Sequence, residues 1–197
     1  MVDVPTSDRR VGAGTVLSKG GMVCSISPQA ASAGASVLRD GGNAFDAAVA
    51  TAAVEGVTAP SACGLGGEPF VLMYEAKTGK TFGLSGSGKA PMAATRDYFV
   101  SRGYQTMPLS GPLAAAIPGE VDAYVGILER YGTRPLSKLL EPAIGYAEEG
   151  YPISERQARG FESNAERLTH YPDTKKIFTK DGKPYLPGDV LVQTDLA

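Results

Sequence analysis

The chain is poor in the side chains that most often carry catalysis or hold metal ions. Its 197 residues include one histidine, two cysteines and no tryptophan. Catalysis by several histidines is therefore excluded, and a tetrahedral zinc site is disfavoured because Cys24, Cys63 and His170 are scattered along the chain. Two cysteines in a chain this long do not form a disulfide framework, which fits a reducing compartment. We expect neither a metal nor another cofactor.

Charge and hydropathy argue against two classes of partner. The chain carries 19 basic and 21 acidic residues, and this net charge of −2 is unlike the basic surface of a nucleic-acid-binding domain. The polar N-terminal residues contain no apolar run of the signal-peptide type. The longest apolar region, residues 44–62, is interrupted by Asp46 and Glu55 and is too polar to span a membrane. We therefore expect a cytoplasmic protein without a membrane or nucleic-acid partner.

Glycine and apolar residues are abundant instead. The chain has 25 glycines and 14 prolines, and 43% of its residues are hydrophobic. Glycine and proline together stay below the roughly 25–30% that is typical of low-complexity disorder. The composition therefore predicts a globular α/β (α+β) domain with a sizeable core and many tight turns.

The first third of the chain predicts a strand followed by two helices. Residues 22–26 are apolar and partly β-branched, and Ser27 followed by proline is typical of a helix start. A helix over 28–40 ends at a glycine pair. Asn43 then begins a second helix over 44–57, whose alanine and valine content predicts burial on most sides.

The remaining segments predict a β-hairpin followed by more helices. Residues 70–75 and 81–84 have β propensity and flank a turn at Gly79, as expected for the two strands. Helical spacing covers 119–131 and 136–149, and a further helix begins at Ser154 with a capping box completed by Gln157. The polar stretch 173–187 carries three lysines and predicts a solvated loop.

The segment from Gly83 to Lys89, GLSGSGK, matches the glycine and lysine positions of a phosphate-binding loop. Ala90 stands where such a loop needs a serine or threonine for magnesium, and Pro91 follows where a helix should donate amide groups. A glycine-rich turn that ends a strand is therefore favoured over nucleotide binding. Glycine also permits close approach of the backbone to a ligand, so a ligand-facing loop stays open.

Other polar residues favour structural roles over catalysis. The turn CGLGGEPF, residues 63–70, joins the second helix to a strand that we expect to be buried, and its Cys63 is expected to be a small buried cysteine rather than a nucleophile. His170 suits a helix C-terminus. The adjacent Glu148 and Glu149 do not share one helix face and are expected to be solvated. Residue patterns alone therefore predict a domain without a visible active site.

Five runs of sequence in a fixed order nevertheless resemble the N-terminal part of the γ-glutamyltranspeptidase family. The runs are GMVCSISPQAASAGASVLRDGGNAFDAAVA, GLGGEPFVLMYEAKTGK, AAIPGEVDAY, RYGTRPLSKLLEPAIGYAEEGYPIS and GDVLVQTDLA. The resemblance implies part of a four-layer αββα sandwich of the N-terminal nucleophile (Ntn) hydrolases, which cleave themselves into a large and a small subunit. Residues 21–197 are then a large-subunit portion, incomplete at the C-terminus, and residues 1–20 are a polar extension.

The same resemblance implies that the chemistry lies outside this chain. Family members attack amides with a threonine at the new N-terminus of the small subunit, whose α-amine acts as the base. No catalytic residue is expected here, and the expected partner is the complementary small subunit or a missing C-terminal portion. The alternative is a catalytically inert fragment or degenerate member that acts as a scaffold.

One loop departs from the family pattern. Typical members have an arginine and a glutamate in the stretch before Ala-Pro, and that arginine holds the substrate's α-carboxylate; here Ser87 and Gly88 stand in that stretch. Serine cannot form a bidentate charged pair, although Lys89 can supply a point charge. The resemblance implies substrate binding by Gly86, Ser87, Gly88 and Lys89. It favours a small amide or acyl-amide substrate, as in the related acylase-like and oxamate-amidohydrolase-like branch.

Overall fold

The computed structural model describes residues 16–197, which form a mixed helical and β structure. The helices are α1 (Pro28–Arg39), α2 (Ala44–Thr58), α3 (Arg96–Val100), α4 (Glu120–Tyr131), α5 (Leu136–Glu149), α6 (Glu155–Ser163), α7 (Ala165–His170) and α8 (Pro172–Phe178). The strands are β1 (Phe70–Glu75), β2 (Lys80–Ser85), β3 (Tyr151–Pro152) and β4 (Val190–Leu191). β1 pairs with β2 and β3 with β4, both antiparallel. None of the helices over these residues has both the length and the apolar character needed to cross a bilayer.

Helix α2 lies at the centre of the core, as its composition predicts. Val49, Ala50 and Val54 are almost fully buried, and both α1 and α5 pack against this helix. The approach of α1 depends on Gly34, since a Cβ atom there would lie 2.1 Å from Thr51 Oγ1. The missing side chain at Gly34 therefore allows α1 to pack closely against α2.

The starts of α1 and α2 carry the predicted caps. Ser27 Oγ accepts a hydrogen bond from the backbone N–H of Ala30 and shares another, 2.6 Å long, with Thr58 Oγ1. At α2, Asn43 and Asp46 form a reciprocal capping box. The Ser27–Thr58 bond joins the start of α1 to the end of α2, which fixes the two helices antiparallel to each other.

Asp46 also joins α2 to the turn between α4 and α5. The residue is fully buried, and its carboxylate accepts hydrogen bonds from the backbone N–H of Asn43 (2.9 Å), Thr133 (2.8 Å) and Arg134 (3.2 Å) and from Thr133 Oγ1 (2.5 Å). Burial alone would raise the pKa of this carboxyl, but the hydrogen bonds together lower it below its ordinary value. A charged, fully hydrogen-bonded aspartate thus anchors the helical layer, which consists of α1, α2, α4 and α5.

The hairpin of β1 and β2 has one covered and one open face. Its register pairs Phe70 with Ser85 and Glu75 with Lys80, and the turn places Gly79 at a φ of +68°. Met73 faces the helices and is 8% exposed, whereas Phe70, Leu72 and Tyr74 on the other face are 76%, 81% and 63% exposed. The predicted strands are confirmed, but the expected burial of β1 is wrong, because only alternate side chains reach the helices.

Residues 22–26 do not form the predicted strand. The segment is extended, and Met22, Cys24 and Ile26 point to solvent while the alternate side chains face inward. Within residues 16–197 no strand pairs with it. Local apolar content favours an extended backbone, but a strand also requires a neighbouring ladder.

The expectation of a solvated loop over 173–187 is also wrong in its first part. Helix α8 begins with Pro172 at its first position, has Asp173 in its first turn and carries Lys175 and Lys176 near its end. Proline, acid and base in these places favour a helix despite the polar composition. The rest of the stretch contains a tight turn closed by a bridge between Lys180 and Lys183.

Candidate functional site

Three chain segments meet beyond the end of the hairpin, where the resemblance places substrate binding. The backbone N–H of Gly86 donates to Pro69 O (2.8 Å), and that of Gly119 donates to Gly67 O (3.2 Å). The β1–β2 pairing therefore continues past Ser85, and the segment that leads into α4 lies beside it. The loop 86–89 is held by backbone contacts on both sides.

The glycines of this junction are required by close packing of the backbone. A Cβ atom on Gly86 would lie 2.7 Å from Pro69 Cγ, one on Gly88 would lie 1.4 Å from Ile117 O, and one on Gly119 would lie 1.8 Å from Gly86 O. These distances leave no space for a side chain. The GSG pattern is thus explained by contacts within the chain, which gives Gly86 and Gly88 a structural role beside the predicted substrate role.

Ser87 and Lys89 point outward from the same loop, since residues at alternate positions of an extended chain share one face. Ser87 Oγ donates a 3.0 Å hydrogen bond to Glu68 Oε2. The register that pairs Phe70 with Ser85 places Glu68 directly opposite Ser87. Glu68 was not predicted as a site residue. The sequence indicates its position only through strand alternation. Glu68 lies two residues before Phe70, so the two side chains lie on the same side of the strand.

The arrangement differs from a phosphate-binding loop. After Lys89 the chain forms no helix until α3 begins at Arg96. No helix N-terminus therefore lies directly behind the glycines to donate amide groups to a phosphate. The glycine-rich segment does follow the end of a strand, as expected, but it continues as extended chain rather than forming the expected turn.

A second polar cluster surrounds Cys63 in the turn after α2. Its Sγ lies 3.5 Å from Glu55 Oε1, Ser25 Oγ donates to Glu55 Oε2 (2.6 Å), and Tyr124 OH donates to Glu120 Oε1 (2.7 Å). Partial burial of the thiol and the charges of Glu55 and Glu120 raise the pKa of Cys63 to about 11. Cys63 is exposed, so the expectation of a buried cysteine is wrong. Its high pKa disfavours a thiolate nucleophile.

The other polar candidates remain apart from this site. His170 ends α7, is exposed and packs edge-on against Tyr171, in agreement with the predicted position at a helix end. Glu148 and Glu149 are exposed at the end of α5, as expected. Among residues 16–197, no three histidine, cysteine, aspartate or glutamate side chains are grouped to hold a metal ion.

Sequence comparison relates most of the chain to known proteins. The model of the family described as gamma-glutamyltranspeptidase matches residues 30–197. The chain belongs to the γ-glutamyltranspeptidase family. It is 42% identical over 177 residues to the glutathione hydrolase-like YwrD proenzyme of Bacillus subtilis (strain 168), an alignment that covers 89% of this chain and 33% of the relative.

Solved structures of the family share the fold. The γ-glutamyltranspeptidase of Helicobacter pylori superposes with a TM-score of 0.87 at 39% identity, over 93% of this chain and 53% of that one. A cephalosporin acylase from Bacillus halodurans gives a TM-score of 0.85 at 35% identity, over 98% of this chain and 37% of that one. The prediction of a mixed helix and sheet fold of the Ntn hydrolase type is confirmed.

The chain corresponds to only part of the length of its relatives. The chain spans about a third of the length of the YwrD proenzyme and of the glutathione hydrolase proenzyme of Escherichia coli (strain K12), at 33% and 32%. The boundary at residues 20/21 and the substrate-binding role of residues 86–89 stay predictions. Residues 1–15 of the predicted extension lie outside the described residues.

Proposed function

We propose that this chain is the large-subunit portion of an amide hydrolase or acyltransferase that works through an acyl-enzyme. Its nucleophile is a threonine outside residues 1–197, at the start of a small subunit released by self-cleavage. The match to the γ-glutamyltranspeptidase family over residues 30–197, with glutathione hydrolases among the relatives, supports this proposal. The chain then supplies scaffold and the substrate-facing loop 86–89, and the protein acts in the cytoplasm.

The substrate we propose is a small amide or acyl-amide rather than glutathione. The observation that carries this choice is Ser87, which stands in place of the family's arginine and donates its hydroxyl proton to Glu68. A serine in this arrangement offers no charge to an α-carboxylate, and Glu68 adds a negative charge beside it. A γ-glutamyl group therefore loses the bidentate pair that an arginine would provide.

The partner we propose is a second polypeptide segment that covers the open face of the hairpin, either the complementary small subunit or a C-terminal continuation. Phe70, Leu72 and Tyr74 form a row of exposed apolar side chains on this face. Such a row favours burial against another layer. It leads along β1 directly to Glu68, so a segment covering the hairpin would also enclose the loop 86–89.

The test uses the full-length, self-processed protein. Hydrolysis of glutathione is compared with that of simple acyl amides, including oxamate, by initial rates at equal concentrations. We expect turnover of at least one small amide to exceed that of glutathione by about tenfold or more, the effect of losing a charge-assisted pair. Efficient glutathione turnover would contradict the proposed substrate class. Absence of self-cleavage and of any turnover would favour the non-catalytic scaffold.

A further inference from the structure

We propose that Glu68 determines substrate specificity together with Ser87. The two side chains form a pair of hydrogen-bond acceptors that selects a substrate with a donor group, an ammonium or an amide N–H, over one with a carboxylate at the same position. This inference rests on the proposed function, in which the loop 86–89 faces the substrate.

The hydroxyl proton of Ser87 is committed to Glu68. A serine hydroxyl has a single proton, and here it is donated to Glu68 Oε2 at 3.0 Å. The pair therefore offers a substrate only acceptors: the lone pairs of Ser87 Oγ and the remaining acceptor positions of the Glu68 carboxylate. An ammonium can donate to both oxygens, and a charged donor on a carboxylate makes the stronger type of hydrogen bond. A substrate carboxylate would instead meet a like charge.

Backbone contacts restrict the two chain segments that carry the pair. Glu68 precedes Pro69, whose carbonyl accepts from Gly86, and Gly88 lies against Ile117 with no space for a side chain. The backbone on both sides of the Glu68–Ser87 pair is therefore held in register. This restricted backbone limits how far the two acceptors can move apart, which favours discrimination between substrates.

The nearby cation, Lys89, forms no ion pair with Glu68. Lys89 lies two residues beyond Ser87 on the same face, roughly 7 Å along an extended chain. The ion pairs found among residues 16–197 include neither Lys89 nor Glu68. Within this part of the chain Glu68 thus has no cation in direct contact, and its carboxylate is available to a donor group of the substrate.

The test uses the full-length, self-processed protein and p-nitroanilides of one acyl chain length. The γ-glutamyl anilide carries both an ammonium and a carboxylate, the 4-aminobutanoyl anilide only the ammonium, the glutaryl anilide only the carboxylate, and the butanoyl anilide neither. In the wild type we expect kcat/KM for the 4-aminobutanoyl anilide to exceed that for the glutaryl anilide about tenfold. Glu68→Gln should bring this ratio close to one, mainly through KM, because glutamine retains the shape but loses the charge.

Controls separate this effect from folding and from the proposed function. Glu141→Gln removes the same charge from an exposed position on α5 and should leave the ratio unchanged. Ser87→Ala removes one acceptor and should lower the ratio by less than Glu68→Gln, which tests the pair even if the first variant fails to self-cleave. A ratio unchanged within about twofold in both variants overturns the inference. Hydrolysis of none of the anilides by processed wild type overturns the proposed function itself.

Discussion

Helix α2 and strand β1 are both rich in apolar residues, yet the structure covers them to different extents. Val49 and Val54 of α2 are almost fully buried, whereas Phe70 and Leu72 of β1 are largely exposed. Helix α2 buries its valines and hydrogen-bonds the carboxylate of Asp46 within residues 16–197. Only one face of the hairpin is covered by the helices, and the other is exposed to solvent. The difference indicates that stability resides in the helical layer, while the hairpin leaves one face and the Glu68–Ser87 pair exposed, at the place where we propose that a partner segment binds.

Removal of the buried carboxylate of α2 should have the largest effect in the helical layer. In Asp46→Ala, the backbone N–H groups of Asn43, Thr133 and Arg134 lose their buried acceptor. We expect the free energy of unfolding to fall by about 3–4 kcal/mol, measured by urea unfolding with circular dichroism. Asp97→Ala, at an exposed position on α3, is the matched control and should change it by no more than about 0.5 kcal/mol. Equal effects of the two substitutions would contradict the anchoring role of Asp46.

A substitution at the junction should have the next largest effect. Gly88→Ala forces a methyl group into the carbonyl of Ile117, and we expect a loss of about 1–3 kcal/mol in urea unfolding from overpacking. Gly126→Ala on α4 is the control, since a Cβ atom there meets open space. Alanine is the better helix former, so this control should be neutral or stabilising by up to about 1 kcal/mol. A harmless Gly88→Ala would show that the loop 86–89 is free to move away from residues 117–119.

Acid should weaken the helical layer through the same aspartate. The folded-state pKa of Asp46 lies below its ordinary value of 3.8 because the hydrogen bonds outweigh the effect of burial. Its contribution to stability is therefore fully present above about pH 4 and is lost as the pH falls through the lowered folded-state pKa. Urea unfolding at several pH values, compared with Asp46→Asn, should show a steeper decline for the wild type at low pH. Parallel pH profiles would contradict a stabilising charge at this position.

The parts of the structure that the sequence predicted are those set by local chemistry. Caps at Ser27, Asn43 and Ser154 use residues within four positions of one another, so their patterns are visible in the sequence. The pairing of Glu68 with Ser87 joins residues 19 positions apart and depends on the hairpin register. The Glu68–Ser87 pairing was missed, whereas the strand over residues 22–26 was predicted and does not form. The local preference of these residues favours a strand, but no neighbouring strand pairs with them among the described residues.

The smallest effect within this chain should come from the open face of the hairpin. Leu72 is 81% exposed and Met73, the next residue, is 8% exposed on the opposite face. We expect Leu72→Lys to change the free energy of unfolding of the 197-residue chain by less than about 0.5 kcal/mol and to reduce self-association. Met73→Lys, the matched control, places a charge against the helices and should cost at least about 3 kcal/mol.

The same pair of substitutions in a longer, self-processed protein decides whether the open face becomes an interface. If a further segment covers β1, Leu72→Lys buries an unpaired charge there. Its free energy of unfolding should then fall by nearly as much as that of Met73→Lys, about 3 kcal/mol. Urea unfolding of the chain and of the longer protein, with both variants in each, gives this comparison directly. A neutral Leu72→Lys in the longer protein would show that solvent still reaches the face. The Glu68–Ser87 pair would then act at an open surface, where water and salt screen the attraction between Glu68 and an ammonium and lower the selectivity for it.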